Sequence, residues 1–327
     1  MEHRRLGKTG RAVSVVGFGA WAIGGDWGAV EDATALRALH AAADAGVDLI
    51  DTADVYGDGR SERLIGRFLR ERPGETFFVA TKMGRRVPQL PESYNPDAFR
   101  AWNDRSRENL AVDTLDLVQL HCPPTQVYYT PEVFAALDEM AAEGRIRNYG
   151  LSVEKVEEGL KALEFPGVAT VQIIFNMLRQ RPAERFLGEA ARRDVGVLTR
   201  VPLASGLLTG RLRPDTVFEA TDHRAYNRQG AVFDVGETFA GVDYTTGLEV
   251  VEALRELVPD GVTLAQVALR WILMHEGVTA AIPGAKSPEQ AIANAAAAGL
   301  APLPPETMAR VAELYDARVR PLVHQRW

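Results

Sequence analysis

Eight short β-rich apolar runs, most of them followed by a segment of helical periodicity, constrain the fold of this chain more than any other feature. The runs fall at residues 13–18, 47–50, 77–80, 115–120, 146–151, 170–174, 196–199 and 279–282. Between them, residues 33–45, 61–69, 96–110, 131–142, 153–163 and 183–193 repeat apolar side chains at spacings of three and four, as amphipathic helices require. Strands alternating with helices predict a parallel sheet, because parallel neighbours need long crossover connections. Eight such units close a (β/α)₈ TIM barrel. An open doubly wound sheet is the alternative, and it usually places a Gly-rich turn and a helix after its first strand. Gly17-Phe18-Gly19-Ala20-Trp21-Ala22 begins that way, but it has Ala at the third Gly position and no helical segment directly after it. The expected fold is therefore an α/β chain forming a single barrel domain over residues 1–327.

Three additions are expected on this frame. Residues 4–13 read as a β-hairpin with Gly and Thr in its turn, placed to plug the N-terminal end of the barrel. The interval 201–279 is much longer than the others and carries a Gly- and Arg-bearing loop (204–245), then helical patterns at 246–258 and 263–274. Long βα loops on barrels usually serve function. A final extra helix is expected over 305–319.

A net charge of -7 disfavours generic binding to nucleic acid or anionic membranes. Cys122 is the one cysteine, so no intrachain disulfide can form. The charged first residues do not resemble a signal peptide, and no apolar stretch approaches the length of a membrane span. The expectation is a cytoplasmic protein whose partner is a small molecule; the oligomeric state is left open.

Catalytic groups of barrels project from the C-terminal ends of the strands. Asp51 ends the second run, with Tyr56 on the following loop; Lys82 ends the third, His121 the fourth and Ser152 the fifth. Gln172 lies on the sixth, with Asn176 after it, and Arg200 ends the seventh. Each residue alone has an ordinary structural reading. Together they bring an acid, a phenol, an amine and an imidazole to one mouth. An ammonium beside a phenol stabilises phenolate and is expected to lower the tyrosine pKa, while a carboxylate keeps the ammonium charged. An imidazole across the pocket can orient a carbonyl oxygen. Such a cluster suits protonation of an alkoxide as it forms, with hydride supplied by a cofactor. A Schiff-base role for Lys82 needs an uncharged amine, which Asp51 opposes. No His pair sits at metal-ligand spacing.

The same residues resemble the aldo-keto reductase family over nearly the whole chain. Asp51-Thr52-Ala53-Asp54-Val55-Tyr56-Gly57 followed by Ser61-Glu62 is similar to its D-x-A-x-x-Y-G signature. Thr81-Lys82, Val118-Gln119-Leu120-His121, Gly150-Leu151-Ser152, Gln172 with Asn176, the run from Pro202 to Gly210, and Ile282-Pro283-Gly284-Ala285-Lys286 are similar to further motifs, in the same order. The resemblance implies NADPH-dependent reduction of aldehydes or ketones. Tyr56 would be the proton donor, Lys82 and Asp51 its tuning pair, and His121 the group that orients the carbonyl. It also implies a cofactor site made of Gly19, Ala20, Trp21, Asp51, Ser152, Gln172, Arg200, Val201, Pro202, Leu203, Ala204, Ser205, Gly206, Gly210, Arg211, Gly284, Lys286, Gln290 and Asn294. Lys286 favours NADPH over NADH through the 2′-phosphate; Arg211 and Arg224 are further phosphate candidates. Many members place an aromatic residue where Arg200 stands; a planar guanidinium can also stack on a ring.

The absence of a long loop after the last helix resembles the bacterial and channel-subunit branches rather than the steroid-reducing ones. A substrate pocket is expected from Trp21, Trp27, Tyr56, Met83, His121 and Tyr128, with Tyr226 on the rim. The alternative function is a sensor barrel that holds the cofactor with little turnover. Such relatives commonly have Asn at the histidine position, where this chain has His121.

Overall fold

The computed structural model describes residues 1–327. Its first two strands, β1 (His3–Arg5) and β2 (Ala12–Ser14), pair antiparallel. Eight further strands follow: β3 (Phe18–Gly19), β4 (Leu49–Asp51), β5 (Phe78–Met83), β6 (Leu115–His121), β7 (Ile146–Ser152), β8 (Val168–Ile174), β9 (Gly196–Arg200) and β10 (Ala280–Ala281). They form one parallel sheet in sequence order from β3 to β10. The sheet closes on itself. Parallel bridges join Val16 to Ala281 and Gly19 to Gly284, with Gly17 N–H donating to Ala281 O at 2.8 Å and Gly19 N–H to Pro283 O at 2.9 Å. Gly19 is required at this seam, because a Cβ there would lie 2.6 Å from Ile282 O.

The helices are α1 (Trp21–Gly24), α2 (Asp32–Asp44), α3 (Arg60–Glu71), α4 (Pro96–Leu110), α5 (Pro131–Ala142), α6 (Val156–Ala162) and α7 (Phe186–Arg192). After β9 come α8 (His223–Tyr226), α9 (Tyr244–Arg255), α10 (Leu264–Leu273), α11 (Pro288–Ala296), α12 (Pro305–Leu314) and α13 (Arg320–Val323). Local chemistry sets several starts: Asn95 accepts from Ala98 N–H ahead of Pro96, and Thr263 with Gln266 forms a capping box.

Three expectations need correction. The run 13–18 does not make one barrel strand. Val13 belongs to the hairpin, and only Phe18–Gly19 pairs with β4. A one-turn helix, α1, does follow Gly19 directly, although it is too short for helical periodicity to reveal. The last helix ends regular α geometry at Leu314, where a π-type turn over Tyr315–Val319 leads to α13.

The hairpin plugs the N-terminal end of the barrel, as expected. Leu6 and Val13 are fully buried against Leu49, Phe78, Ala80, Leu117, Leu198, Ala280 and Ile282. Lys8 Nζ donates to Pro166 O and Val168 O at the start of β8, and Arg4 donates to Val278 O just before β10 and to Leu273 O at the end of α10. With that end filled, the polar strand ends all face the opposite mouth.

Candidate active site

Period-two alternation along the strands decides which residues enter the mouth. Asp51 pairs with Ala80, so Lys82, two residues on, projects to the same side. The register continues as Lys82 with Gln119, His121 with Ser152, Ser152 with Gln172 and Ile174 with Arg200. Asp51, Lys82, His121, Ser152, Gln172 and Arg200 are all buried there.

The centre is a short polar chain. Lys82 Nζ donates to Asp51 Oδ1 at 2.6 Å, to Thr52 O at 2.8 Å and to the Tyr56 hydroxyl at 3.3 Å. Asp51 Oδ2 accepts from Gln172 Nε2 at 2.7 Å and from Gln119 Nε2 at 3.4 Å. The carboxylate is therefore held on both oxygens, and the ammonium on three sides. Burial disfavours the charged form of Lys82, but the opposing charges of Asp51 and Tyr56 outweigh it, so the amine is held above its usual range. Tyr56 departs from expectation. Burial raises its pKa and outweighs the lowering by Lys82, so the phenol holds its proton more firmly than a free tyrosine.

His121 stands edge-on to Tyr56, ring centroids 5.9 Å apart. Burial, then the charges of Arg85, Lys82 and Arg200, push its pKa well below the ordinary histidine range. The ring is neutral at physiological pH, and its Nδ1 has no protein partner. On the other side Trp21 lies nearly parallel to Tyr56, 6.0 Å between centroids, and packs with Trp27 and His223. Met83 and Tyr128 are fully buried, and Tyr128, on a 3₁₀ turn (Thr125–Tyr129), keeps its hydroxyl unpartnered. Tyr226 donates to Asp26 Oδ1 at 2.8 Å, linking the long segment after β9 to the loop after α1.

Arg200 is engaged differently from the stacking expectation. Its Nη2 donates to Glu154 Oε2 at 2.9 Å, Val153 O at 3.1 Å and Cys122 Sγ at 3.5 Å. Asn176 donates to Val201 O and accepts from Leu178 N–H, so it braces the loops rather than facing the mouth.

The remaining cofactor candidates follow the ends of β3, β9 and β10. Ala20 N–H donates to Asp51 O. Pro202 and Leu203 lead into a 3₁₀ segment (Ala204–Thr209) ended by Gly210 at φ 67°, with Arg211 exposed beyond it. Val201, Ala204 and Ser205 take left-handed φ values of 51°, 47° and 54°, and Gly206 takes 97°. After β10, Gln290 Oε1 accepts from Lys286 N–H, and Asn294 donates to Gly284 O. Partial burial, then the charge of nearby Arg224, lowers the Lys286 pKa.

Sequence reasoning missed Arg85, Glu154, Glu237, Gln119, Asp26 and His223. None ends a strand; Gln119 lies within β6, two residues before His121 on the same face. That period-two relation was the one available signal for it. The acidic pair Glu154 and Glu237 comes with Cys122 within 4.8 Å, but Arg85 and Arg200 occupy both carboxylates. No helix is long and apolar enough to cross a membrane.

Comparison with known proteins adds an independent line. The aldo/keto reductase family model matches residues 15–316. The chain is 29% identical over 315 residues to the NADH-specific methylglyoxal reductase of Escherichia coli, covering 89% of this chain and 92% of that one. Its fold is similar to the holo form of aldo-keto reductase AKR11C1 from Bacillus halodurans, with a TM-score of 0.76, 26% identity and 96% of each chain covered. It is also similar to an aldo/keto reductase from Klebsiella pneumoniae solved with NADP and acetate, with a TM-score of 0.70, 26% identity and coverage of 96% and 95%.

Proposed function

The chain belongs to the aldo/keto reductase family, and from that premise we propose that it reduces aldehydes or ketones to alcohols with NADPH, using Tyr56 as the proton donor. The observation that carries this reading is the buried Asp51–Lys82–Tyr56 chain with neutral His121 beside it. Bound NADPH supplies the hydride, which no side chain can provide.

The residues fit a dinucleotide. Gly284 leaves its backbone open, since a Cβ there would meet nothing closer than Ala22 Cβ and Gly19 O at 3.6 Å. The charge of Arg224, itself paired with Asp222 at 2.6 Å, reaches Lys286 and lowers its pKa, so Lys286 is the cation a phosphate group would pair with. Ser152 and Gln172 are the candidates for the nicotinamide carboxamide, and Lys286 for the 2′-phosphate. The name of the Escherichia coli relative makes NADH the cofactor to assay alongside NADPH.

The chemistry of the chain's own residues follows from their states. His121, neutral, donates a hydrogen bond that orients the carbonyl oxygen without adding charge to the pocket. As negative charge develops on that oxygen, the Tyr56 proton moves to it. The phenolate left behind lies 3.3 Å from Lys82, whose charge Asp51 secures at 2.6 Å. Trp21, with Phe233 5.9 Å from it, offers an aromatic wall for apolar or aromatic substrate bodies.

Tyr56→Phe tests the assignment. Loss of the general acid lowers kcat by about a thousandfold while NADPH binding stays near wild type. Turnover is read from the absorbance of reduced nicotinamide with an aldehyde panel, and binding from protein fluorescence. Retained turnover in the variant removes Tyr56 from the proton-donor role. Absence of turnover in the wild-type protein, with NADPH bound, removes the enzymatic reading.

A further inference from the structure

The side-chain amide of Gln119 is fully buried and has one polar partner in the protein, the carboxylate of the reactive centre. Gln119 lies within β6, where it pairs with Lys82 of β5. Its Nε2 donates to Asp51 Oδ2 at 3.4 Å, and its Oε1 is buried without a protein partner. Burying an amide on a single long hydrogen bond costs more than burying an apolar side chain of similar size. Leu117, two residues earlier on the same face of β6, is such a side chain, and it belongs to the apolar cluster around the plug. For packing the barrel, leucine at 119 would serve as well as glutamine.

Side chains from three strands hold the carboxylate of a fourth. Lys82 of β5 donates to Asp51 Oδ1 at 2.6 Å, while Gln119 of β6 and Gln172 of β8 both donate to Oδ2. Lys82 spends its other two N–H groups on Thr52 O and the Tyr56 hydroxyl, so it has none left for Gln119 Oε1. Hydrogen bonds to an ionised group are stronger than those between neutral ones, and they strengthen further away from water. With Gln119 in place, Asp51 has donors on both oxygens and two on Oδ2. Without it, one donor per oxygen remains, and the carboxylate turns more freely about its Cβ–Cγ bond.

We propose that Gln119 is a positioning residue for carbonyl reduction: it fixes the plane of the Asp51 carboxylate and, through it, the Lys82 ammonium that faces Tyr56. The inference rests on the reductase reading above. Lys82 must keep its place while charge builds on the phenol oxygen, and its shortest contact is with Asp51. A carboxylate that turns carries the ammonium with it. Gln119 thus acts through Asp51 and Lys82, and its effect belongs to the chemical step rather than to cofactor binding.

Gln119→Met keeps the length of the side chain and removes its donor. In the full chain, kcat with an aldehyde is expected to fall about tenfold, because small misplacements of reacting groups are amplified in rate. KM and NADPH affinity are expected to stay at wild-type values, and the denaturant midpoint to stay level or rise. In protein carrying ¹³C-labelled aspartate, the Asp51 carboxyl resonance, identified by its loss in Asp51→Asn, is expected to move in Gln119→Met. Wild-type kcat in the variant overturns the proposal, as does an unmoved Asp51 resonance. A fall in kcat matched by a fall in the denaturant midpoint or in NADPH affinity also overturns it, because general damage would then explain the loss. If Gln119→Met does not fold by circular dichroism, Gln119→Leu is measured by the same criteria; failure of both to fold assigns Gln119 to the fold and overturns the proposal. A wild-type protein without turnover refutes the reductase reading, while the Asp51 resonance still reports on the contact, so the two failures are distinct.

Discussion

Tyr56 shows how far residue chemistry depends on surroundings. Its neighbours Lys82 and Asp51 were legible from strand ends and one dense motif. The net direction of its pKa was not, because it depends on how completely the phenol is buried. Asp54, three residues after Asp51, makes the same point. Neither carboxyl oxygen has a protein partner, and burial, followed by the charge of Glu62, pushes its pKa up to about 7. The unfolded chain releases this proton in the ordinary carboxylate range, whereas the folded protein keeps it until about pH 7. Between those limits the folded state binds more protons, so the contribution of Asp54 to stability is full at low pH and is lost as pH rises. Asp54→Asn is expected to flatten that decline in a series of denaturant unfolding curves. An unchanged slope would place the titration elsewhere.

At the level of elements, α1 and the Tyr56 loop form a matched pair that periodicity could not detect. A Cβ on Gly24 would lie 2.7 Å from Tyr56 Cβ, and one on Gly57, at φ 58°, would lie 2.2 Å from Gly24 O. The glycines let two backbone segments touch, and that contact sets where the phenol sits. Gly24→Ala is expected to shift Tyr56 and lower kcat about tenfold or more with little change in circular dichroism, because small misplacements of a reacting group are amplified in rate. A variant with wild-type kcat would show that the loop relaxes without moving the hydroxyl. Strand and helix existence was readable because periodicity is a local property. The split of run 13–18 was not, since which residues pair with β4 depends on how the hairpin enters the barrel.

Across the whole molecule, the plug and the seam turn eight local units into one closed barrel. Leu6 is fully buried at the plugged end, in a cluster with residues from β4, β5, β6, β9 and β10. Leu6→Ala removes that contact and is expected to destabilise the fold by about 2–5 kcal/mol. Chemical denaturation monitored by tryptophan fluorescence measures it, and a loss well under the lower figure would mean that the hairpin rests on the barrel without filling it. The mouth has the opposite design, with polar strand ends clustered where the chain is least regular.

What the sequence by itself determined was the alternation of strands and helices, the closed barrel, and the set of Asp51, Tyr56, Lys82 and His121. The fold follows from period-two and helical spacing, which act over a few residues; the four site residues follow from strand-end placement together with their resemblance to the aldo-keto reductase motifs. Tertiary structure alone decided the neutral state of His121, the raised pKa of Tyr56, and the commitment of Arg200 to Glu154 and Glu237. Burial and ion pairing arise between residues far apart in the chain, so no local pattern encodes them.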